Sequence, residues 1–132
     1  MFKKGDRLVI EEEITDERIR KFADVSGDHN PVHLDDEYAK TTRFGRRIAH
    51  GMLLGSLISR ALAQDLGPGG IYLGQTLKFL HPVFPGDKVS IELTVLALRE
   101  ERGIGTVETL VRNQDGVLCV KGEAMIMAKG SV

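Results

Sequence analysis

Between His50 and the breaker Gly67-Pro68-Gly69-Gly70 lies a run in which Met52, Leu53, Leu54, Leu57, Ile58, Ala61 and Leu62 cover more than half of a helical circumference. A helix that apolar must be enclosed by other elements. The chain that follows is suited to enclosing it. Ile71 to Leu80, Val89 to Ala97, Ile104 to Asn113 and Leu118 to Ala128 all read as strands, and in the second of them Val89, Ile91, Leu93, Val95 and Ala97 alternate with Ser90, Glu92 and Thr94. Phe84-Pro85-Gly86-Asp87, the charged loop from Arg99 to Gly103 and the tight turn at Asp115-Gly116 separate these strands. The last three strands, joined as consecutive hairpins, imply an antiparallel sheet. Ahead of the apolar helix, Arg7 to Glu11 reads as a strand. Thr15 reads as the cap of a helix with Ile19, Phe22 and Ala23 on one face, and Ser26-Gly27 closes that helix. From Asp28 to Ala49 the pattern is irregular, apart from a helical turn near Asp35 to Ala39. The order predicts an α+β chain in which a curved antiparallel sheet wraps one central helix, with residues 1–132 forming a single domain.

Composition narrows the partners. Lys+Arg number 18 against 19 Asp+Glu, a formal net charge of -1. A balance of this kind implies no basic face and argues against nucleic acid as a partner. Cys119 is the lone cysteine, which leaves no disulfide framework or thiolate metal cluster and fits a reducing compartment. Met1 to Asp6 lacks the apolar core of a signal peptide, and Ile48 to Leu66 is interrupted by Ser56, Ser59, Arg60, Gln64 and Asp65. The expectation is a soluble, cytoplasmic chain without a membrane partner.

The densest polar cluster is Ser26-Gly27-Asp28-His29-Asn30-Pro31-Val32-His33-Leu34, between two apolar helices. Pro31 turns the chain away from helix at Asn30, and such a turn can bring Asp28 and His33 to one point. A carboxylate beside an imidazole suits acid–base catalysis near neutral pH, and the Asn30 amide could orient a water. The same residue types also make ordinary turns. A metal site from His29, His33 and His50 with Asp28 or Asp35 is a third reading, although Pro31 works against a helical His-x3-His platform. Gly51 opens the apolar helix, where unpaired N–H groups and the absent Cβ would let developing negative charge approach; alternatively Gly51 and Gly55 permit close packing against strands. Arg43, Arg46 and Arg47 around Phe44 either grip a phosphorylated ligand or form a solvated loop, the latter being the ordinary outcome for a short charge run. The Gly67–Gly70 run precedes a strand and so is no dinucleotide fingerprint, and Cys119 has no activating neighbour in sequence.

Asp28-x-Asn30-Pro31-x-His33 followed by His50-Gly51-Met52 resembles the MaoC-like family of (R)-specific enoyl-CoA hydratases. The likeness continues through Ile71-Tyr72-Leu73-Gly74-Gln75 and Phe79-Leu80-His81-Pro82-Val83-Phe84-Pro85-Gly86-Asp87 and covers nearly the whole chain. The resemblance implies a hot-dog fold and a homodimer joined edge to edge, with acyl-CoA bound near the interface. It implies Asp28 and His33 as the catalytic pair, Asn30 helping to hold water, and the Gly51 N–H stabilising the thioester oxygen. Ser56, Met52 and Tyr72 are candidate pocket residues. The implied reaction is reversible hydration of a trans-2-enoyl-CoA to (R)-3-hydroxyacyl-CoA, with no metal and no cofactor, coenzyme A being part of the substrate. A hot-dog acyl-CoA thioesterase and a 3-hydroxyacyl-carrier-protein dehydratase are the competing activities, because this fold supports several thioester reactions; a non-catalytic acyl-binding module is the remaining alternative.

Overall fold

The structure, a computed structural model, describes residues 2–128. Strand β1 (Arg7–Glu13) leads into α1 (Asp16–Ser26), the short helices α2 (Pro31–Leu34) and α3 (Asp36–Lys40), and the central helix α4 (Gly51–Arg60). Strands β2 (Ile71–Phe79), β3 (Lys88–Arg99), β4 (Ile104–Arg112) and β5 (Leu118–Met127) follow. All pairings are antiparallel, in the order β1-β3-β4-β5-β2. The first strand after the central helix therefore lies at one edge, and the first strand of the chain at the other. This sheet curled around α4 is the hot-dog fold.

The period-2 pattern acts as anticipated. Ile91, Leu93 and Val95 of β3 and Val107 and Val111 of β4 turn inward, each no more than 1% exposed, against Ile58, Ala61 and Leu62 of the helix, all at 0%. Burying each of the larger aliphatic side chains stabilises the fold by about 1.5–3 kcal/mol. The helix is not enclosed on every side, however. Met52 is 58% exposed and Ser56 is also exposed, so one stripe of α4 remains open. The helix also changes form. Beyond Arg60, Ala61–Leu66 widens into a π-helical turn, and the Gly67 N–H reaches back to the Leu62 carbonyl at 3.0 Å.

Two local findings position the site. Thr15 caps α1 through a bond from the Arg18 N–H, and Gly27 ends it with φ 79°, a left-handed conformation that suits glycine. The segment after it is more ordered than its irregular sequence suggests. Pro31 opens a helical turn, because proline at the first helical position loses no needed N–H and has φ already set. His33 therefore stands on α2. Arg47 holds this region together: it pairs with Asp16 at 2.6 Å and Asp36 at 2.8 Å and donates to the His33 carbonyl at 3.2 Å, tying α1, α2 and α3. Cys119 is fully buried, its thiol donating to the Val117 carbonyl, and burial raises its pKa, so it is unreactive.

Candidate active site

The loop from α1 to α2 is built from side-chain bonds to its own backbone. The Ser26 hydroxyl donates to the Phe22 carbonyl and accepts from the Asp28 N–H. The Asp28 carboxylate accepts from the Asn30 N–H at 3.2 Å, and the Asn30 side-chain oxygen caps α2 by accepting from the Val32 N–H at 3.2 Å. Asp28 stays exposed at the rim, while His33 is buried on the floor.

Hydrogen bonds to carbonyls fix the tautomers of two imidazoles, because a carbonyl only accepts. His33 Nδ1–H donates to the Ile48 carbonyl at 2.8 Å, which leaves His33 Nε2 as a free lone pair. His50 Nε2–H donates to the Asp28 carbonyl at 3.0 Å, which leaves His50 Nδ1 buried without a partner. The two rings stack at 3.8 Å, and the Phe22 ring meets His50 edge-on at 4.9 Å. His50 thus braces both candidate catalytic groups, the ring of His33 by stacking and Asp28 through its backbone.

Asp28, His33 and His50 each place a donor atom within 4.8 Å of the other two. His29 points elsewhere, toward Asp24, and Asp35 caps α3. Stacking disfavours a shared ion: imidazole lone pairs lie in the ring plane, and planes only 28° apart direct them nearly side by side rather than to one point about 2.0–2.1 Å from both nitrogens.

Burial lowers the pKa of His33 from the usual 6.5, more strongly than the Ile48 hydrogen bond raises it; nearby His50 lowers it further and Asp28 raises it. The ring is therefore held neutral. Folding favours the neutral form, so this stabilisation is complete above pH 6.5 and is lost as pH falls from there toward the lowered folded-state value. Protonation also consumes the Nε2 lone pair. The acidic limb of a kcat/KM profile governed by His33 accordingly falls below pH 6.5. A limb for the free enzyme above that value would contradict the assignment.

Asp28, His33, Gly51 and Met52 line one cavity of about 410 Å³, together with Arg43, Phe44 and His81. Ser56, Tyr72 and again Met52 line a second of about 690 Å³, walled by Phe22 and Leu77. The exposed Met52 side chain thus borders both. Asn30 lines neither, its side-chain oxygen being committed to the α2 cap, although its NH₂ remains free. His50 offers no side-chain cap to α4, whose first two residues, Gly51 and Met52, line the first cavity. A Cβ at Gly51 would lie 2.6 Å from the Phe79 ring, so this glycine allows an aromatic to lie across the helix start. At Gly55 the nearest neighbour, Leu77, would stand at an ordinary 3.4 Å.

Phe79, the Ile48 carbonyl and the bracing role of His50 were beyond sequence reasoning. His50 and Phe79 gave a signal, both within the motifs of the family resemblance, and His50 also as a polar residue at the mouth of an apolar helix.

A family model described as a MaoC like domain matches residues 3–116. The chain belongs to the MaoC-like family. It is 52% identical over 109 residues to the (R)-specific enoyl-CoA hydratase of Aeromonas caviae, covering 82% of this chain and 81% of that protein. To the (R)-specific enoyl-CoA hydratase of Rhodospirillum rubrum it is 41% identical over 95% of this chain and 87% of that one. Among solved structures, the (R)-hydratase of A. caviae involved in PHA biosynthesis superposes with a TM-score of 0.92 and 45% identity over 96% of this chain and 97% of that one. This MaoC-like chain thus shares both sequence and fold with hydratases along nearly its whole length.

Proposed function

We propose that this protein hydrates trans-2-enoyl-CoA to (R)-3-hydroxyacyl-CoA, reversibly, using Asp28 and His33. The observation that carries the reading is the convergence of the Asp28 carboxylate and the His33 ring on the cavity that also receives the start of α4. Both groups are acceptors, so a water between them donates one hydrogen to each. Asp28 takes a proton as the oxygen attacks C3, and His33 Nε2 holds the water in line. Charge moves onto the thioester oxygen, where the Gly51 N–H and the positive end of α4 stabilise it. The pair then returns a proton to C2. Asn30 acts on this water through Asp28, whose carboxylate its backbone N–H holds. Ser56, Met52 and Tyr72 line the neighbouring apolar cavity for the acyl chain. No metal or cofactor enters the reaction.

The decisive assay mixes crotonyl-CoA with EDTA-treated protein and follows the conjugated enoyl absorbance and free thiol together. Loss of absorbance without thiol release, with an R product on chiral analysis, is the expected result. Thiol release would mean thioester hydrolysis instead.

The proposal includes a homodimer formed through β2. The two sheet edges differ in kind: β1 carries Glu11, Glu12 and Glu13, charges that discourage further pairing, whereas β2 exposes Ile71, Leu73 and Phe79, with Leu80 just beyond. Antiparallel pairing of β2 with a second copy would cover them and the open stripe of α4. Sedimentation should give twice the chain mass, and Leu73→Lys should shift it toward monomer. No helix among the described residues is long and apolar enough to cross a membrane. The cytoplasm is the compartment that fits a coenzyme A thioester and the unpaired Cys119 thiol.

A further inference from the structure

The three arginines of the Thr41–Arg47 loop look equivalent in sequence, but the fold gives them different surroundings. Arg47 is consumed by Asp16 and Asp36, its side chain only 13% exposed. Arg43 and Arg46 are exposed and form no ion pair among the described residues. Each lies over an aromatic ring instead: Arg43 at 5.0 Å from the centre of Phe44, and Arg46 at 3.7 Å from that of Phe84.

Their backbone is set by short bonds. The Thr42 hydroxyl donates to the Ala39 carbonyl and accepts from the Phe44 N–H, and the Gly45 N–H bonds to the Thr42 carbonyl. Gly45, at φ 74°, makes the bend between the two arginines, and the partly buried Arg47 anchors the far end. Arg43 and Phe44 also line the cavity that holds Asp28 and His33, and Phe84 follows Pro82 and Val83 of the same cavity wall.

An arginine stacked on an aromatic face keeps its in-plane N–H donors free and is partly desolvated and ordered before any ligand arrives. Two such arginines without carboxylate partners among the described residues, Arg43 on the wall of the cavity proposed for the acyl thioester and Arg46 over Phe84, which follows Val83 of that wall, suit a phosphate group. We propose that Arg43 and Arg46 bind phosphate on the carrier arm of the thioester, and so set the enzyme's preference for phosphorylated carriers. This rests on the hydratase reading. Coenzyme A and the prosthetic arm of an acyl carrier protein share the phosphate next to pantetheine, so the shared chemistry is a pantetheine phosphate.

The test compares crotonyl thioesters of N-acetylcysteamine, 4′-phosphopantetheine, coenzyme A and holo-carrier protein, with wild type, R43A/R46A and R43K/R46K. The alanine double variant should raise KM about tenfold or more on coenzyme A, as expected for losing one or two charge-assisted hydrogen bonds. The same rise should appear on phosphopantetheine, kcat should stay near wild type, and the lysine pair should recover part of the loss. Turnover of the N-acetylcysteamine thioester, which lacks phosphate, reports separately on the folding of the variants and on the hydratase reading itself. A loss equal on all thioesters, no loss on coenzyme A, or a loss confined to the carrier protein would overturn the proposal. Calorimetric binding of coenzyme A to wild type and R43A/R46A gives the same comparison if no thioester turns over, and unchanged affinity there would also overturn it.

Discussion

Asp28→Asn should lower kcat/KM for crotonyl-CoA by about a thousandfold, within the range expected for losing a positioned general base. The fold should not notice. Asparagine keeps an oxygen to accept from the Asn30 N–H, and the backbone carbonyl that receives His50 Nε2–H is untouched. Asp28 is exposed, so no buried partner is orphaned and stability should stay within about 0.5 kcal/mol of wild type. What disappears is a carboxylate able to take a proton. Purified D28N with more than about a tenth of wild-type activity would remove Asp28 from the role of base, since general-base loss costs at least a hundredfold.

Gly122→Ala should be the most damaging single-methyl change in the sheet. A Cβ at Gly122 would fall 1.8 Å from the Thr76 carbonyl oxygen and 2.9 Å from its carbon, both backbone atoms of the neighbouring strand. Gly122 lies between Leu77 of β2 and Thr109 of β4 in the pairing, so β5 cannot move away from one neighbour without disturbing the other. Strain of this kind costs about 3 kcal/mol or more, at the upper end of overpacking effects. Denaturant unfolding of G122A should show a midpoint far below wild type, or no folded baseline. Activity should fall too, because β2 carries Phe79 across the start of α4 and Tyr72 and Leu77 into the apolar cavity. A G122A midpoint equal to wild type would show that β2 and β5 are not held this closely. By contrast Gly51→Ala meets the exposed ring of Phe79, which can swing aside, and so tests the helix start with little cost to folding.

Strand alternation, the apolar helix and the caps at Thr15 and Gly27 were legible because each rests on local chemistry: a period, a capping side chain, a breaker. The family motif, Asp28 to His33 with His50-Gly51-Met52, was legible for the same reason. The form of the segment after Asp28 was less so. Pro31 can interrupt a helix or start one, and only the neighbouring Asn30 cap and the Arg47 clamp decided that it starts α2.

Tertiary structure alone decided the state and surroundings of the polar groups. The neutral, Nδ1-protonated form of His33 depends on the Ile48 carbonyl and on burial. The stacking of His50 on His33 joins residues on separate elements. The division of the three arginines of one loop into a structural clamp and two without ion pairs among the described residues depends on where Asp16 and Asp36 happen to lie. By itself the sequence determined which residue types stand at which spacing, because backbone periodicity is set locally. Distances between groups far apart in the chain, and the desolvation that sets their protonation, arise only when the sheet closes around α4.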